Sequence, residues 1–385
     1  MPTFSFQPVD LPPGIPAFRQ QIRQFLQREM PDTSPENKSN CWGVADLAFS
    51  RKLGQQGYIG MTWPKAFGGG ERSAIERYIL LEELLAAGAP VGAHWIADRQ
   101  SGPAILKYGT AEQQQKYLPA ITRGELYCCI GMSEPGAGSD LASVRTRGEQ
   151  LADGRWKLNG QKLWTTFAQH CDLMIALVRT TPVDANNRHA GLSQFLIDLK
   201  HTPGITIRPI EDMVGGNHFN EVFFDDAIVE PDALFGVEGE GWQQCTSELS
   251  LERSGPERYL SSLALYLELL RAAGSDAEST VVQALGSIAT QLWTLRQMSL
   301  SVAGQLVDGQ DPTLEAACVK DLGNALEQGI PHLVQRIVSS ELFLEDQSDL
   351  ARTLALLLQT SPSFSLRGGT REILRGIIAR GLGLR

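Results

Sequence analysis

The stretch YCCIGMSEPGAGSD, residues 127–140, decides how the rest of the chain is divided. Its first half is an apolar run suited to a buried strand. Its second half sets two carboxylates, two serines, two glycines and a proline into eight positions. Pro135 followed by Gly136 and Gly138 bends the backbone sharply, with φ above zero expected at one or more of these residues. On these residues alone a surface turn, a strand end that binds a ligand's oxygens and a metal loop all stay open. There is no Gly-Lys-Ser/Thr ending and no G-x-G-x-x-G ahead of a helix, so a Walker or dinucleotide loop is excluded. Glu134 and Asp140 suggest a metal, but two such carboxylates more often serve a self-bonded turn.

Outward from this stretch the patterning changes twice. Up to about residue 118 the apolar period is helical, in AFRQQIRQFLQREM, ERYILLEELLAAG and SGPAILKYG. From about 125 to 229 short β-branched and aromatic runs take over: RWKLNGQKLWTTF, DLMIALVR, SQFLIDL, GITIRPI and NEVFFDDAIV. Turn residues separate these runs and no crossover helix intervenes, which predicts an antiparallel β-barrel or sandwich. After GVEGEGW the long periodic segments that follow predict a bundle of antiparallel helices. The expected fold is therefore an α+β multidomain chain, with an N-terminal helical domain (1–118), a middle antiparallel barrel or sandwich (119–230) and a C-terminal bundle of antiparallel helices (231–385).

Composition narrows the function. The 385 residues carry a formal net charge of -10, with 42% hydrophobic and 20% charged residues, which argues against general nucleic-acid affinity. The six cysteines form no C-x-x-C pair, and the six histidines no zinc-helix spacing, so a reduced interior without a dedicated metal site is expected. No apolar run reaches the ~18 residues of a membrane span, and MPTFSFQPVDLPPG has no export-signal pattern; a cytoplasmic protein is expected.

Three stretches have side chains fit for a ligand. The first is the strand end itself, where backbone N–H groups and the Ser133 and Ser139 hydroxyls face outward. In GQKLWTTF, Trp164 offers a stacking face to a flat ring while Thr165 and Thr166 offer hydroxyls, although a tryptophan packed in a sheet gives the same pattern. In RGGTREILRGIIARGLGLR, Thr370 reads as the N-cap of a terminal helix whose start suits a nucleotide phosphate or serves only as a cap.

In order, SEPGAGSD, LWTT, NEVFFDDAIVEPDALFGVEGEGW and GGTREILRGIIARGLGL resemble the acyl-CoA dehydrogenase family, as do GMTWPKAFGG and ILKYGTAEQQQKYLPAITRGE. The resemblance spans nearly the whole chain and implies an N-terminal helical domain, a middle antiparallel β-barrel and a C-terminal four-helix bundle. It implies an FAD enzyme that removes hydrogens from the α and β carbons of an acyl-CoA thioester, giving the trans-2-enoyl-CoA. Such enzymes are usually homotetramers or dimers that pass electrons to an electron-transfer flavoprotein. By position, Ile130, Met132, Ser133, Ser139, Trp164, Thr165 and Thr166 would line the flavin, and Thr370 and Glu372 its nucleotide half. Ser139, Ser250, Arg253 and Gly369 would border the substrate.

Many family members carry the catalytic carboxylate just before the terminal Gly-Thr, where this chain has Gly368. A minority place it on a bundle helix in a Leu-x-x-Glu-Arg context. LSLERSGPERY puts Glu252 at that position, followed by Arg253, with Glu257 as the fallback and Gly255–Pro256 as a break. The stretches RAAGSDAES and LARTLALLLQTSPSF replace interface motifs usual in the family, Ser250 stands where an aspartate is frequent, and Phe167 replaces a common asparagine. This pattern is similar to divergent bacterial members acting on steroid side chains or other bulky acyl-CoAs, some of which are heterotetramers of two homologous subunits. The alternative reading is therefore a non-catalytic or half-site subunit, and a weaker third is a flavin oxidase.

Overall fold

The computed structural model describes residues 3–184, 186–251, 253–338 and 348–384, with the backbone alone for 247–251. They fall into two compact units. One holds residues up to 44, 72–90 and 252 onward; the other holds 45–71 and 91–251.

The second unit is built on eight strands: β1 (Cys128–Gly131), β2 (Arg147–Gln150), β3 (Trp156–Thr166), β4 (Leu173–Arg179), β5 (Leu192–Asp198), β6 (Ile205–Ile210), β7 (Phe219–Val229) and β8 (Leu234–Phe235). They hydrogen-bond in the order β6-β7-β3-β2-β4-β5-β8, with β1 on β4. The expected closed antiparallel barrel is corrected on two counts. The sheet is open, because β6 and β8 lie at opposite ends of the path. It is also mixed, because β1 and β2 both run parallel to β4. Closure needs the terminal strands to pair. Here β8 is two residues long, and β6 carries Pro209, which has no N–H to donate. The extra strand β2, RGEQ, has no apolar alternation to announce it.

Every residue of β4 is buried, as are the first six of β5; β4 is apolar up to Arg179, whereas β5 buries Ser193 and Gln194 among its apolar residues. In β3, by contrast, Trp156 and Leu158 point inward, and Trp156 meets Phe195 of β5 edge-on at 5.2 Å. Helices α3 (Leu47–Gln55), α5 (Gly92–Ile96), α6 (Gly102–Tyr108) and α7 (Ala111–Thr122) belong to this unit as well, as does the helix Gly241–Leu251. A π-turn, Ala97–Ser101, joins α5 to α6. Gly102 is required there: a Cβ would sit 2.0 Å from the Trp63 indole.

The first unit gathers α1 (Ile15–Glu29), α2 (Pro35–Ser39) and α4 (Ala74–Ala87) with the C-terminal helices α9 (Leu263–Ala273), α10 (Ser279–Val307) and α11 (Thr313–Ile337), the helix Asp349–Thr360 and the terminal helix Arg371–Gly381. Arg296 of α10 binds Glu82 of α4 at 2.6 Å, and Arg23 of α1 binds Glu83 at 2.7 Å. Arg19 reaches both carboxylates. The helix α8 (Gly241–Leu251) ends ahead of Gly255–Pro256, and regular helix resumes at α9, so the break expected at that proline is present. Among the described residues no helix is long and apolar enough to cross a membrane.

Behind the sheet, His94 of α5 is buried and bonds Ser50 Oγ of α3 at 2.8 Å. Burial pushes its pKa down to about 4. The unfolded chain therefore takes up a proton near pH 6.5 that the folded chain refuses until about 4. Stability should fall as pH drops through that window, by about 3 kcal/mol in all, and level off below it. Unfolding midpoints of the protein and of His94→Gln from pH 8 to 4 measure this; an equal decline in both would assign the loss to other groups.

Candidate functional site

In the sheet unit, β1 leads into the motif loop. Ile130, Met132 and Ser133 are half-buried there, while Pro135, Gly136, Gly138 and Ser139 are exposed. The turn closes by two bonds, Glu134 N–H to Ala137 O at 2.8 Å and Ala137 N–H to Glu134 O at 3.0 Å. Contrary to the expectation from its glycines, no residue of 133–140 has positive φ. The glycines serve space instead: nothing lies within 4 Å of a Cβ built on Gly136 or Gly138. Glu134 turns inward and accepts from Arg145 N–H at 2.6 Å, Thr146 N–H at 2.9 Å and Lys162 Nζ at 2.7 Å. Asp140 turns outward to Ser143 Oγ and Arg188. The two carboxylates thus have separate partners, and among the described residues no cluster of three or more His, Cys, Asp or Glu could hold a metal.

The neighbouring wall comes from β3, tied to the loop by Leu163 N–H to Ser133 O at 2.9 Å. Its pairing with β7 shifts register between Lys162 and Thr165. Within this bulge Trp164 has φ +62, and just past the strand Phe167 has φ +55, a left-handed backbone that costs most residues of order 1 kcal/mol or more. The bulge turns the Trp164 indole outward, 55% exposed and edge-on to Phe219. Thr165 is buried, and its Oγ1 has no partner among the described residues. Thr166 is half-buried at the strand end. The Phe167 ring packs into the sheet core, and its N–H donates to His218 O at 2.7 Å.

Thr370, Glu372, Gly369 and Arg253 belong to the other unit. Thr370 is the N-cap of the terminal helix and accepts from Ile373 N–H at 3.5 Å. Glu372 is exposed in the first turn, its carboxyl held below the usual range by its own backbone amide and the Thr370 hydroxyl. Gly368 and Gly369 have φ +63 and +100. Their carbonyls accept from two cations, Arg253 Nε at 3.5 Å and Lys320 Nζ at 2.6 Å. Arg367 stacks on Trp42 at 4.6 Å and pairs with buried Glu327 at 3.4 Å. Glu257 is buried on a single 3-10 turn, Pro256–Arg258. Glu252 lies outside the described residues, as does the side chain of Ser250.

A half-exposed indole beside hydroxyls, at a strand end whose glycines leave open space, offers a stacking face and polar groups to a flat ring. Three family models match in succession: the acyl-CoA dehydrogenase N-terminal domain over residues 15–125, the middle domain over 129–227 and the C-terminal domain over 239–383. The acyl-CoA dehydrogenase IpdE1 of Mycobacterium tuberculosis (strain ATCC 25618 / H37Rv) is 33% identical over 347 residues, covering 88% of this chain and 87% of that one. Among solved structures, the Tcur3481–Tcur3483 steroid ACAD superposes with a TM-score of 0.86 at 25% identity, covering 97% of this chain and 98% of that one. The ChsE4–ChsE5 complex from Mycobacterium tuberculosis gives 0.84 at 26%, covering 98% and 100%. The chain belongs to the FAD-dependent acyl-CoA dehydrogenase family, which converts acyl-CoA to enoyl-CoA. Its residues fit FAD: the outward indole supplies a stacking face, and the orphaned Thr165 hydroxyl and open space at Gly136 and Gly138 leave room and hydrogen-bonding capacity.

Sequence reasoning passed over Lys162, which is fully buried. Its signal was the alternation of β3, in which 156, 158 and 162 share the inward face. It also passed over Arg179, buried at the end of β4, whose guanidinium donates to the carbonyls of Ala142, Val144 and Ala190.

The two left-handed aromatics should behave oppositely. Trp164→Gly gives up little burial and relieves the left-handed strain, so its unfolding free energy should stay within about 1 kcal/mol of the parent. Phe167→Gly removes a core ring and should cost about 3 kcal/mol. Urea unfolding of both variants is the check, and a large loss for Trp164→Gly would make that indole a packing residue.

Proposed function

We propose that this chain dehydrogenates a bulky acyl-CoA to its trans-2-enoyl-CoA, with Glu252 as the base. In this reading Ile130, Met132, Ser133, Ser139 and Thr165 border the flavin, Trp164 packs on it, and Thr166 bonds near its N5. Thr370 and Glu372 serve its nucleotide half. Ser139, Ser250, Arg253 and Gly369 border the substrate. Bound FAD supplies the two-electron acceptor. The protein's part is to hold the thioester, to donate hydrogen bonds that acidify its α-carbon, and to take the α-proton on the Glu252 carboxylate. An electron-transfer flavoprotein is the proposed acceptor.

The observation that carries the reading is the outward, strain-bearing Trp164 followed by two threonines, because a chain that only had to fold would keep the indole inside. The bulky substrate class is supported by the likeness to the steroid ACAD.

A second reading is a half-site subunit of a heteromer with a homologous chain. It is favoured by Gly368, which puts no side chain at the position where many relatives carry their base, and by the likeness to the two-component ChsE4–ChsE5 complex.

Purified alone, the protein should be yellow, and an acyl-CoA should bleach it. Trp164→Ala should weaken flavin binding by about tenfold or more. Glu252→Gln should keep the flavin and the unfolding midpoint but slow bleaching by ~100-fold or more. Undiminished bleaching in that variant would remove Glu252 from the reaction. A colourless chain that takes up flavin only after mixing with a homologous subunit would select the second reading.

A further inference from the structure

Lys162 of β3 and Glu134 of the motif loop form a buried ion pair on the inner side of that loop. The Lys162 side chain is fully buried, and Glu134 is 8% exposed. The lysine reaches its place from β3 by passing beneath Gly131: a Cβ there would lie 3.2 Å from Lys162 Cγ and 2.8 Å from Met174 Sδ. At its tip Nζ donates to Glu134 Oε1 at 2.7 Å and to the Met132 carbonyl at 3.3 Å. The ammonium therefore touches the backbone one residue before Ser133, on the side of the wall away from solvent.

Holding the turn does not call for this charge. Glu134 already accepts from two backbone N–H groups, of Arg145 and Thr146, and the turn has its own pair of bonds. Burying an ammonium costs several kcal/mol, and a methionine of similar length would fill the same space without that penalty. Burial draws the lysine's pKa down to about 8, against the charge and hydrogen bond of Glu134. Burial also works against the Glu134 carboxylate, but Lys162 and the bonds from Thr146 and Arg145 outweigh it and hold its pKa low. The second buried cation nearby, Arg179, is committed to backbone carbonyls while its field reaches Glu134.

We propose that Lys162 is a positioning residue whose buried positive charge, set behind Met132 and Ser133, stabilises electron density gained by a ring bound at that wall, while Glu134 tempers it. The inference rests on the reading that Met132, Ser133 and Trp164 border the flavin. It makes the ion pair a setting of the flavin's reduction potential rather than a brace.

The test is the midpoint potential of the bound flavin in the whole protein at pH 6, together with flavin content and unfolding midpoint, in the parent, Lys162→Met and Glu134→Gln. Lys162→Met should lower the potential, with the reduced-to-oxidised ratio at a fixed applied potential falling about tenfold, and Glu134→Gln should raise it. A brace predicts something else, since breaking either half loosens the same wall and moves both variants in one direction. Shifts of the same sign, or none, overturn the proposal while leaving the flavin site in place. If Lys162→Met does not fold, the sign of the Glu134→Gln shift decides: a rise supports the charge role and a fall or no change ends it. A parent protein that takes up no flavin, alone or with a homologous subunit, overturns the site reading and this inference together.

Discussion

Along a strand with one buried face every second side chain points inward, so Trp164, in phase with buried Lys162, faces outward only because β3 breaks its register against β7. Strand β3 keeps Trp156 and Leu158 in the sheet core, then slips against β7 between Lys162 and Thr165. Before the slip, Lys162 still points inward and becomes a buried cation. At the slip Trp164 points outward. Past the strand end Phe167 returns to the core through a second left-handed backbone. A buried cation, an outward indole and a buried hydroxyl thus come from the four consecutive residues 162–165.

The motif loop is held to match. It needs no positive φ, because the paired bonds between Glu134 and Ala137 close it with ordinary geometry. Its carboxylates work in opposite directions, Glu134 pulling the turn inward onto Arg145, Thr146 and Lys162, and Asp140 pinning the outer rim to Ser143 and Arg188. The bare glycines between them keep the approach open. In the other unit the diglycine ahead of Thr370 is fixed in the same spirit, by Arg253 and Lys320 donating to its carbonyls.

Much of this was legible in the sequence, because the informative signals are local. Helical period located α1, α4, α6 and the long bundle helices α9 to α11, β-type runs located six of the eight strands, and Thr370 announced a helix start. What escaped depends on long-range pairing. The closed barrel was a natural inference from successive β runs without crossover helices, yet closure is decided by whether the end strands meet, and nothing in ITIRPI or in LF reveals that they do not. The four-residue β2 is polar because its neighbours, not its own side chains, hold it. Trp164 could be suspected from residue type, but the slip that exposes it is a property of two strands. Lys162 is the instructive miss: its inward phase was readable, and the expectation that a lysine belongs in solvent hid it.

The division of the chain also has a consequence for its birth on the ribosome. All of the sheet unit, residues 45–71 and 91–251, has been made before the bundle helices exist. Helices α1 and α4 emerge early, but Glu82 of α4 waits for Arg296 of α10 and the apolar faces of both helices for the rest of their unit. At about 5–20 residues per second, the ~200 residues between α4 and Arg296 amount to a delay of roughly ten to forty seconds. During that interval the sheet can settle while α1 and α4 stay unclaimed, so the early segments of the nascent chain are the ones that need shelter.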